Sequence, residues 1–175
     1  MALVSGETLG GRSQGETVAT STVDQQGIVA GLLGAATIAL WFLLLDSLSG
    51  RPLYTPTVLG IWVFRHGAGL TSPDTLAPSF EMAMLFTWIH ALVFLGIGFA
   101  VSRLLRVAEL HPNLGFGILL LFVVFESGFV VLTMTVAQDV VSALAWPAVL
   151  FGNLLAAAAM GAYFWRHHPN LRIEP

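Results

Sequence analysis

The sequence predicts an all-α integral membrane protein, a four-helix bundle with a short re-entrant or interfacial segment between its first two helices. Of its 175 residues, 56% are hydrophobic and only 10% are charged, which is too little charge to surround a soluble core of this size. The mean hydropathy is +0.82, and four apolar blocks are each long enough to cross a bilayer. We therefore predict one membrane domain over residues 27–168.

A polar stretch precedes the first apolar block. Residues 1–26 are rich in Gly, Ser, Thr and Gln, and they offer too little apolar surface to offset the entropy of ordering. We predict a polar N-terminal tail that is disordered unless a partner holds it. The first span is predicted over 27–47, where Gly27, Gly31 and Gly34 lie near one face at a spacing that favours close packing against another helix.

The segment after the first span contains an apolar piece, Thr57 to Phe64, that is too short to cross a membrane. We predict that it lies on the bundle as the re-entrant or interfacial segment. Short links join the later spans, so helices adjacent in sequence should be antiparallel neighbours. These spans are predicted at 80–101, 114–136 and 143–165, with a short C-terminal tail at 169–175. The glycines of "GIGFA" at 96–100 are interpreted as helix-packing residues.

Arginine placement predicts the orientation of the bundle. One side collects five arginines and the other only two, and cytoplasmic loops carry the excess of basic residues. The five are Arg12, Arg103, Arg106, Arg166 and Arg172, and the two are Arg51 and Arg65. Both termini are therefore expected in the cytoplasm, and the protein in a bacterial inner membrane.

Composition and motifs exclude several classes of function. The chain has no cysteine, which excludes disulfides, thiolate catalysis and Cys-ligated metal centres. It also has no dense basic patch, so no nucleic-acid partner is expected. Hydrolase, phosphate-loop and dinucleotide signatures are missing, so we expect no enzymatic activity, and the sequence requires no cofactor.

A polar layer is predicted near the bilayer midplane. An ionisable residue there is costly unless it faces the bundle interior and finds a partner, so Glu126 in "LFVVFESGFVVL" should be paired. Each predicted span offers one hydrogen-bonding side chain close to its middle: Thr37, His90, Glu126 and Asn153. His90 and Glu126 can form a neutral hydrogen-bonded pair, which desolvation favours, or an ion pair, which their attraction favours.

Three interpretations of this layer stay open. It can fix helix register, as buried polar residues do in coiled coils, it can relay protons, or it can bind a metal or haem through His90 and Glu126. A metal needs at least a third ligand. Glu81 lies on the opposite side of the helix that carries His90, and His167 and His168 are interpreted as a polar helix end.

Three segments carry a resemblance: "GIVAGLLGAATIALWFLLLDSLSGRPLYTPTVLG" at 27–60, "TWIHALVFLGIGFA" at 87–100 and "HPNLGFGILLLFVVFE" at 111–126. Together they resemble a group of small uncharacterised bacterial membrane proteins with a D-x(4)-R-P turn, a T-x-x-H-x-x-x-F pattern and a glutamate in the third span. The resemblance implies no particular activity. It singles out Asp46, Arg51, Pro52, Thr55, Pro56, His90, Phe94 and Glu126. An Asp46 to Arg51 contact is expected to close the turn at the membrane surface.

Small size, short loops and small-residue helix faces together predict a non-catalytic accessory or assembly subunit of a larger respiratory, photosynthetic or transport complex. Its partners would be the lipid bilayer and other membrane subunits. The alternative is a membrane protein whose His90 and Glu126 relay protons or bind a metal or haem.

Overall fold

The computed structural model describes residues 8–68, 70, 76–111 and 146–168, with side chains from 22 onward apart from that of Trp146. Within these residues the chain forms four helices and no strand, which confirms the all-α prediction. The helices are α1 (Thr8–Leu48), α2 (Tyr54–Arg65), α3 (Phe80–Leu110) and α4 (Trp146–His167). The predicted third span, 114–136, lies outside the described residues.

Three of the described helices are long and apolar enough to cross a membrane. Where their side chains are described, these helices run over Thr22–Leu48, Phe80–Leu110 and Pro147–His167, and their 27, 31 and 21 residues at about 1.5 Å each all exceed the ~30 Å hydrocarbon core. Helices therefore occupy the predicted positions of the first, second and fourth spans. Many of their large side chains are exposed, as in a protein solvated by lipid; Trp88 and Leu92 on α3 are 66% and 61% exposed.

Helix α1 begins much earlier than the first span was predicted to begin. Its 41 residues run from Thr8 without a break, so most of the predicted polar tail is helical and continuous with the span. The apolar span predicted from the sequence begins only at Gly27. The polar composition that marked 1–26 as a tail is thus compatible with a helix that extends beyond the apolar layer.

The contact between α1 and α3 is built from small residues. A Cβ atom at Gly27 would lie 2.8 Å from Phe99 Cα, and one at Gly31 would lie 2.9 Å from Leu95 Cα. On α3, a Cβ at Gly98 would lie 2.9 Å from Gly31 Cα, so the two backbones touch at this crossing. The predicted role of these glycines in close packing is confirmed, although a Cβ at Gly96 would meet open space.

Helix α4 also packs on α1, through larger side chains. The indole Nε1–H of Trp41 donates to the carbonyl oxygen of Ala148 at 2.9 Å. A Cβ at Gly152 would lie 2.9 Å from Trp41 Cδ1, so this glycine leaves the space that the indole occupies. Further along the same contact, Ala30 packs in one buried cluster with Met160 and Phe164.

Helix α2 lies against the first turns of α3 as the predicted re-entrant or interfacial piece. With 12 residues it is about 18 Å long, which is too short to cross a membrane. Val58 and Ile61 form a buried cluster with Leu70 and Met82. A Cβ at Gly60 would lie 3.1 Å from Met82 Cβ, which shows how closely the two helices approach.

Candidate functional site

His90 lies on the face of α3 that meets α1. Its Nε2 atom is 3.4 Å from the carbonyl oxygen of Ala35, and its ring is partly buried. One helical turn away on either side, the rings of Phe86 and Phe94 have centroids 5.7 and 4.8 Å from the imidazole, because residues four apart share a helix face. An N–H···O distance of 3.4 Å is longer than the usual 2.7–3.2 Å, so the imidazole is held by weak contacts.

The structure describes three of the four predicted members of the polar layer. The hydroxyl of Thr37 donates to Leu33 O of its own helix at 2.7 Å. Asn153 is partly buried on α4, and no hydrogen bond joins it to His90 among the described residues. Glu126 lies outside the described residues. The layer as a whole therefore stays a prediction.

A metal centre would need more ligands than the described residues bring together. Among the described residues, no three His, Asp or Glu side chains are grouped so that they can hold a metal ion. Of the two predicted metal ligands, the structure describes His90, whereas Glu126 lies outside the described residues. A metal at this depth remains a hypothesis that depends on Glu126.

Asp46, at the end of α1, is buried and binds the beginning of α2. Its two carboxylate oxygens accept hydrogen bonds from the backbone N–H of Thr55 at 2.8 Å and from the Thr55 hydroxyl at 2.7 Å. The first N–H groups of a helix lack partners within it, and a carboxylate there also meets the positive end of the helix dipole. The residue before α2, Leu53, has φ 65 and makes no side-chain cap, so Asp46 takes that role from the preceding helix.

Arg51 closes the same turn through its backbone. Its N–H donates to the carbonyl oxygen of Asp46 at 2.9 Å, while its guanidinium lies 3.7 Å from the centre of the Tyr54 ring. The sequence predicted a contact between Asp46 and Arg51 at the membrane surface. The structure brings the two residues together by a main-chain hydrogen bond, and the carboxylate of Asp46 is engaged by Thr55.

A second hydrogen-bonded pair fixes α2 to α3. The fully buried hydroxyl of Thr57 donates to Leu53 O at 2.7 Å and accepts from the N–H of Ser79 at 3.0 Å. Ser79 in turn caps α3, since its hydroxyl accepts from the N–H of Met82 at 3.4 Å. We call these contacts the loop end of the bundle, comprising Asp46, Thr55, Thr57 and Ser79.

A polar cluster that sequence reasoning missed lies at the opposite end. His168 is buried, with Nδ1 2.6 Å from Glu109 Oε1 and Nε2 3.1 Å from Gln26 Oε1. Both neighbours are oxygen atoms, so in this arrangement both ring nitrogens donate; turning the Gln26 amide over would suit the neutral ring. One imidazole thus joins α1, α3 and the end of α4.

Two further contacts join α1 to α3 at this end. The buried hydroxyl of Ser102 donates to the carbonyl oxygen of Val23 at 2.5 Å. Arg103 binds both carboxylate oxygens of Asp24, with its Nη2 atom 3.0 Å from Oδ1 and 3.3 Å from Oδ2. We call this cluster the arginine end of the bundle, comprising Asp24, Gln26, Ser102, Arg103, Glu109 and His168.

The sequence contained a partial signal for this cluster. His168 was interpreted as part of a polar helix end, yet its side chain is only 6% exposed. The start of the first span, the end of the second and the end of the fourth were all predicted on one side of the membrane. That topology already placed Gln26, Glu109 and His168 at similar depth, although it did not specify which side chains meet.

The fold and its two polar ends define a multi-helix membrane protein whose described polar side chains mainly join helices to one another. The chain matches no family model, no curated protein and no solved structure.

Proposed function

We propose that the protein is a non-catalytic accessory or assembly subunit of a larger membrane complex, seated in a bacterial inner membrane with both termini in the cytoplasm. The observation that carries the proposal is the length of α1. The helix already runs through residues 8–21, ahead of the apolar span predicted at 27–47, and this extension is about 20 Å of helix.

The composition of this extension supports a partner. Its sequence, "TLGGRSQGETVATS", contains three glycines, and each costs a helix about 1 kcal/mol relative to alanine. Isolated helices shorter than ~12–15 residues are marginal in water even with good helix formers. A helix of this composition projecting from the membrane is therefore expected to pack on another protein.

The orientation is supported by the arrangement of the helix ends. Gln26 near the start of the apolar part of α1 and His168 at the end of α4 are in contact, so these two ends lie on one side of the bundle. Arg103 and Arg106 near the end of α3 belong to the same side. The bias of basic residues toward cytoplasmic loops then favours this side as the cytoplasmic one.

A matched pair of substitutions tests the proposal in the full chain. Gly15→Ala should favour the helix by about 1 kcal/mol, whereas Gly15→Pro should break it at a cost of about 3 kcal/mol. With a C-terminal tag and gentle detergent, the native protein and Gly15→Ala should migrate on native gels as part of a larger assembly with a partner in fixed stoichiometry. Gly15→Pro should lose that partner while its membrane helices stay folded by circular dichroism. A native protein that runs as a partner-free monomer would refute the proposal.

A second candidate function rests on the weak hold on His90. The imidazole of His90 is partly buried, and its polar contact among the described residues is the 3.4 Å approach to Ala35 O. It is therefore available to a proton or a ligand. If Glu126 faces it as predicted, the pair would relay protons or contribute two ligands to a metal or haem. This hypothesis and the subunit proposal are compatible, but they predict different measurements.

Elemental analysis and an optical spectrum of the purified protein separate the forms of this second hypothesis. A stoichiometric metal or a Soret band that is lost in His90→Gln would support ligand binding. For the proton form, Glu126→Gln should alter proton uptake while the unfolding free energy stays within about 1 kcal/mol of the native value. If Glu126→Gln changes stability alone, the layer is a structural register device.

A further inference from the structure

A polar cavity of about 310 Å³ lies among the helix ends at the arginine end. Its wall includes Gln26, Arg106, Glu109, His167 and His168, from all three long described helices. Small-molecule sites begin at about 300 Å³, so the space suits a group of modest size. Because the cavity lies at the ends of three helices long and apolar enough to cross a membrane, a bilayer around them would bring lipid headgroups to it.

Arg106 is the arginine in this wall. Its side chain is partly buried, yet no hydrogen bond or ion pair joins it to another residue in the described part of the chain. Arg103, one turn earlier on α3, differs because it is paired with both oxygens of Asp24. A guanidinium has five N–H donors and no acceptor, so a half-buried one calls for an acceptor of negative charge.

The acidic neighbour in the wall does not occupy the guanidinium of Arg106. The carboxylate of Glu109, the acidic group in the wall, is bound by His168 at 2.6 Å. His167 uses Nδ1 to donate to the Tyr163 carbonyl at 2.8 Å, which leaves its Nε2 for a ligand in the cavity.

An adjoining cavity points to an amphiphilic ligand. It measures about 250 Å³, shares Gln26 and His167 with the first, and extends along α1 and α4 to Val29 and Tyr163. Val29 and Tyr163 lie one turn nearer the middle of their helices than Gln26 and His167, which is toward the hydrocarbon. A free ion would need the first cavity alone, whereas the glycerol and first acyl carbons of a lipid would fill the second.

We propose that the two cavities bind an anionic phospholipid, with its phosphate at Arg106 and its glycerol backbone between Val29 and Tyr163. Arginine binds phosphate through two parallel N–H···O bonds, and this geometry fixes the headgroup as well as attracting it. The first cavity binds the phosphate group. The second cavity favours a phospholipid over free phosphate as the molecule that carries this group. The inference does not depend on the proposed function.

The test uses delipidated full-length protein in neutral detergent, with thermal unfolding as the measurement. Phosphatidylglycerol near a hundredfold excess over its Kd should raise Tm by about 5 °C. Diacylglycerol with the same chains lacks the phosphate and should have no effect, and inorganic phosphate should have little. Arg106→Gln should weaken the phosphatidylglycerol effect at least about tenfold in apparent affinity, and Arg106→Lys should weaken it less.

Arg103→Gln is the matched control, because it removes one positive charge from the same helix end without touching the cavity wall. It should keep the lipid-dependent shift in Tm. An equal loss in Arg103→Gln and Arg106→Gln would mean attraction by surface charge, and it would overturn the site. A missing shift in the native protein, or an equal shift with diacylglycerol, would overturn it as well. A full shift with inorganic phosphate alone would overturn the lipid assignment. If Arg106→Gln does not fold, the proposal is still tested by Arg106→Lys and by adding phosphatidylglycerol, diacylglycerol or inorganic phosphate to the native protein.

Discussion

The two ends of the bundle use polar side chains in different ways. At the loop end the bonded residues are close in sequence: Asp46 and Thr55 are nine residues apart and Thr57 and Ser79 are 22 apart. At the arginine end they are distant, with His168 59 residues from Glu109 and 142 from Gln26. The loop end therefore shapes one turn and one short helix, whereas the arginine end fixes how separate helices are arranged.

This difference implies two kinds of failure. Loss of a contact at the loop end should release α2 alone, since its bonds to Asp46 and Ser79 are local. Loss of a contact at the arginine end should instead loosen α1, α3 and α4 relative to one another. The glycine contact between α1 and α3 connects the two ends and should affect both.

The largest effect is expected from Gly31→Val. The added side chain would meet the backbone of α3 at Phe94 and Leu95, which cannot move without separating the two helices. We expect a loss of about 3 kcal/mol or more in the unfolding free energy, measured by denaturation in mixed micelles. Gly96→Val is the control, because Gly96 lies on α3 but a side chain there would face open space. It should change the unfolding free energy by less than about 0.5 kcal/mol. Equal effects of the two substitutions would contradict the backbone contact.

Asp46→Ala should have the next largest effect and should act locally. It leaves the buried N–H and hydroxyl of Thr55 without their acceptor, at an expected cost of about 2 kcal/mol. Hydrogen exchange should speed up over residues 54–65 and stay slow in α3 and α4. Ser47→Ala is the control, because the Ser47 hydroxyl bonds within α1. Exchange that rises throughout the bundle would show that the loop end is not an independent unit.

A double-mutant cycle on His168 and Glu109 measures the arginine end. The variants are His168→Ala, Glu109→Gln and the double substitution, and we expect a coupling free energy of about 1 kcal/mol. This is less than for a fully buried charged pair, because the Glu109 side chain is 31% exposed. Exchange should rise in α1, α3 and α4 together. A coupling near zero would mean that the 2.6 Å contact contributes nothing net to the helix arrangement.

The smallest effect is expected from Arg103→Gln. Its side chain is 55% exposed and that of Asp24 is 35% exposed, so water and salt screen the pair, and the loss should not exceed about 0.5 kcal/mol. The loss should vanish at high salt in a salt series of unfolding measurements. A larger, salt-independent loss would place this pair with His168 as a main connection of the arginine end.

Features with a local cause were predictable from the sequence. Apolar length gave three of the helices, and the spacing of Gly27, Gly31 and Gly34 indicated the close contact. The apolar segment between the first two spans was predicted to be too short to cross, and it forms the 12-residue helix α2. Each of these follows from residue type and period along one segment.

Features that depend on pairing were harder to predict. The contact between Asp46 and Arg51 was expected, but the two hydrogen bonds from Thr55 to the Asp46 carboxylate were not, because they depend on how the start of α2 meets the end of α1. His168 finds Glu109 and Gln26 only after three helices have packed. The helix over 8–21 was missed because its composition opposes helix formation. The His90 and Glu126 layer stays a prediction, since Glu126 lies outside the described residues.

The glycine contact between α1 and α3 also has a consequence for synthesis at the ribosome. Every residue of that contact, from Gly27 to Phe99, belongs to the first two spans to leave the insertion machinery. The pair can dock as a helical hairpin before α4 exists, with α2 folding on the connecting segment. Trp41 and Gln26 then offer a finished surface on which Ala148 and His168 arrive last. Helix α4 is thus placed to pack on a pair of helices that is already in contact.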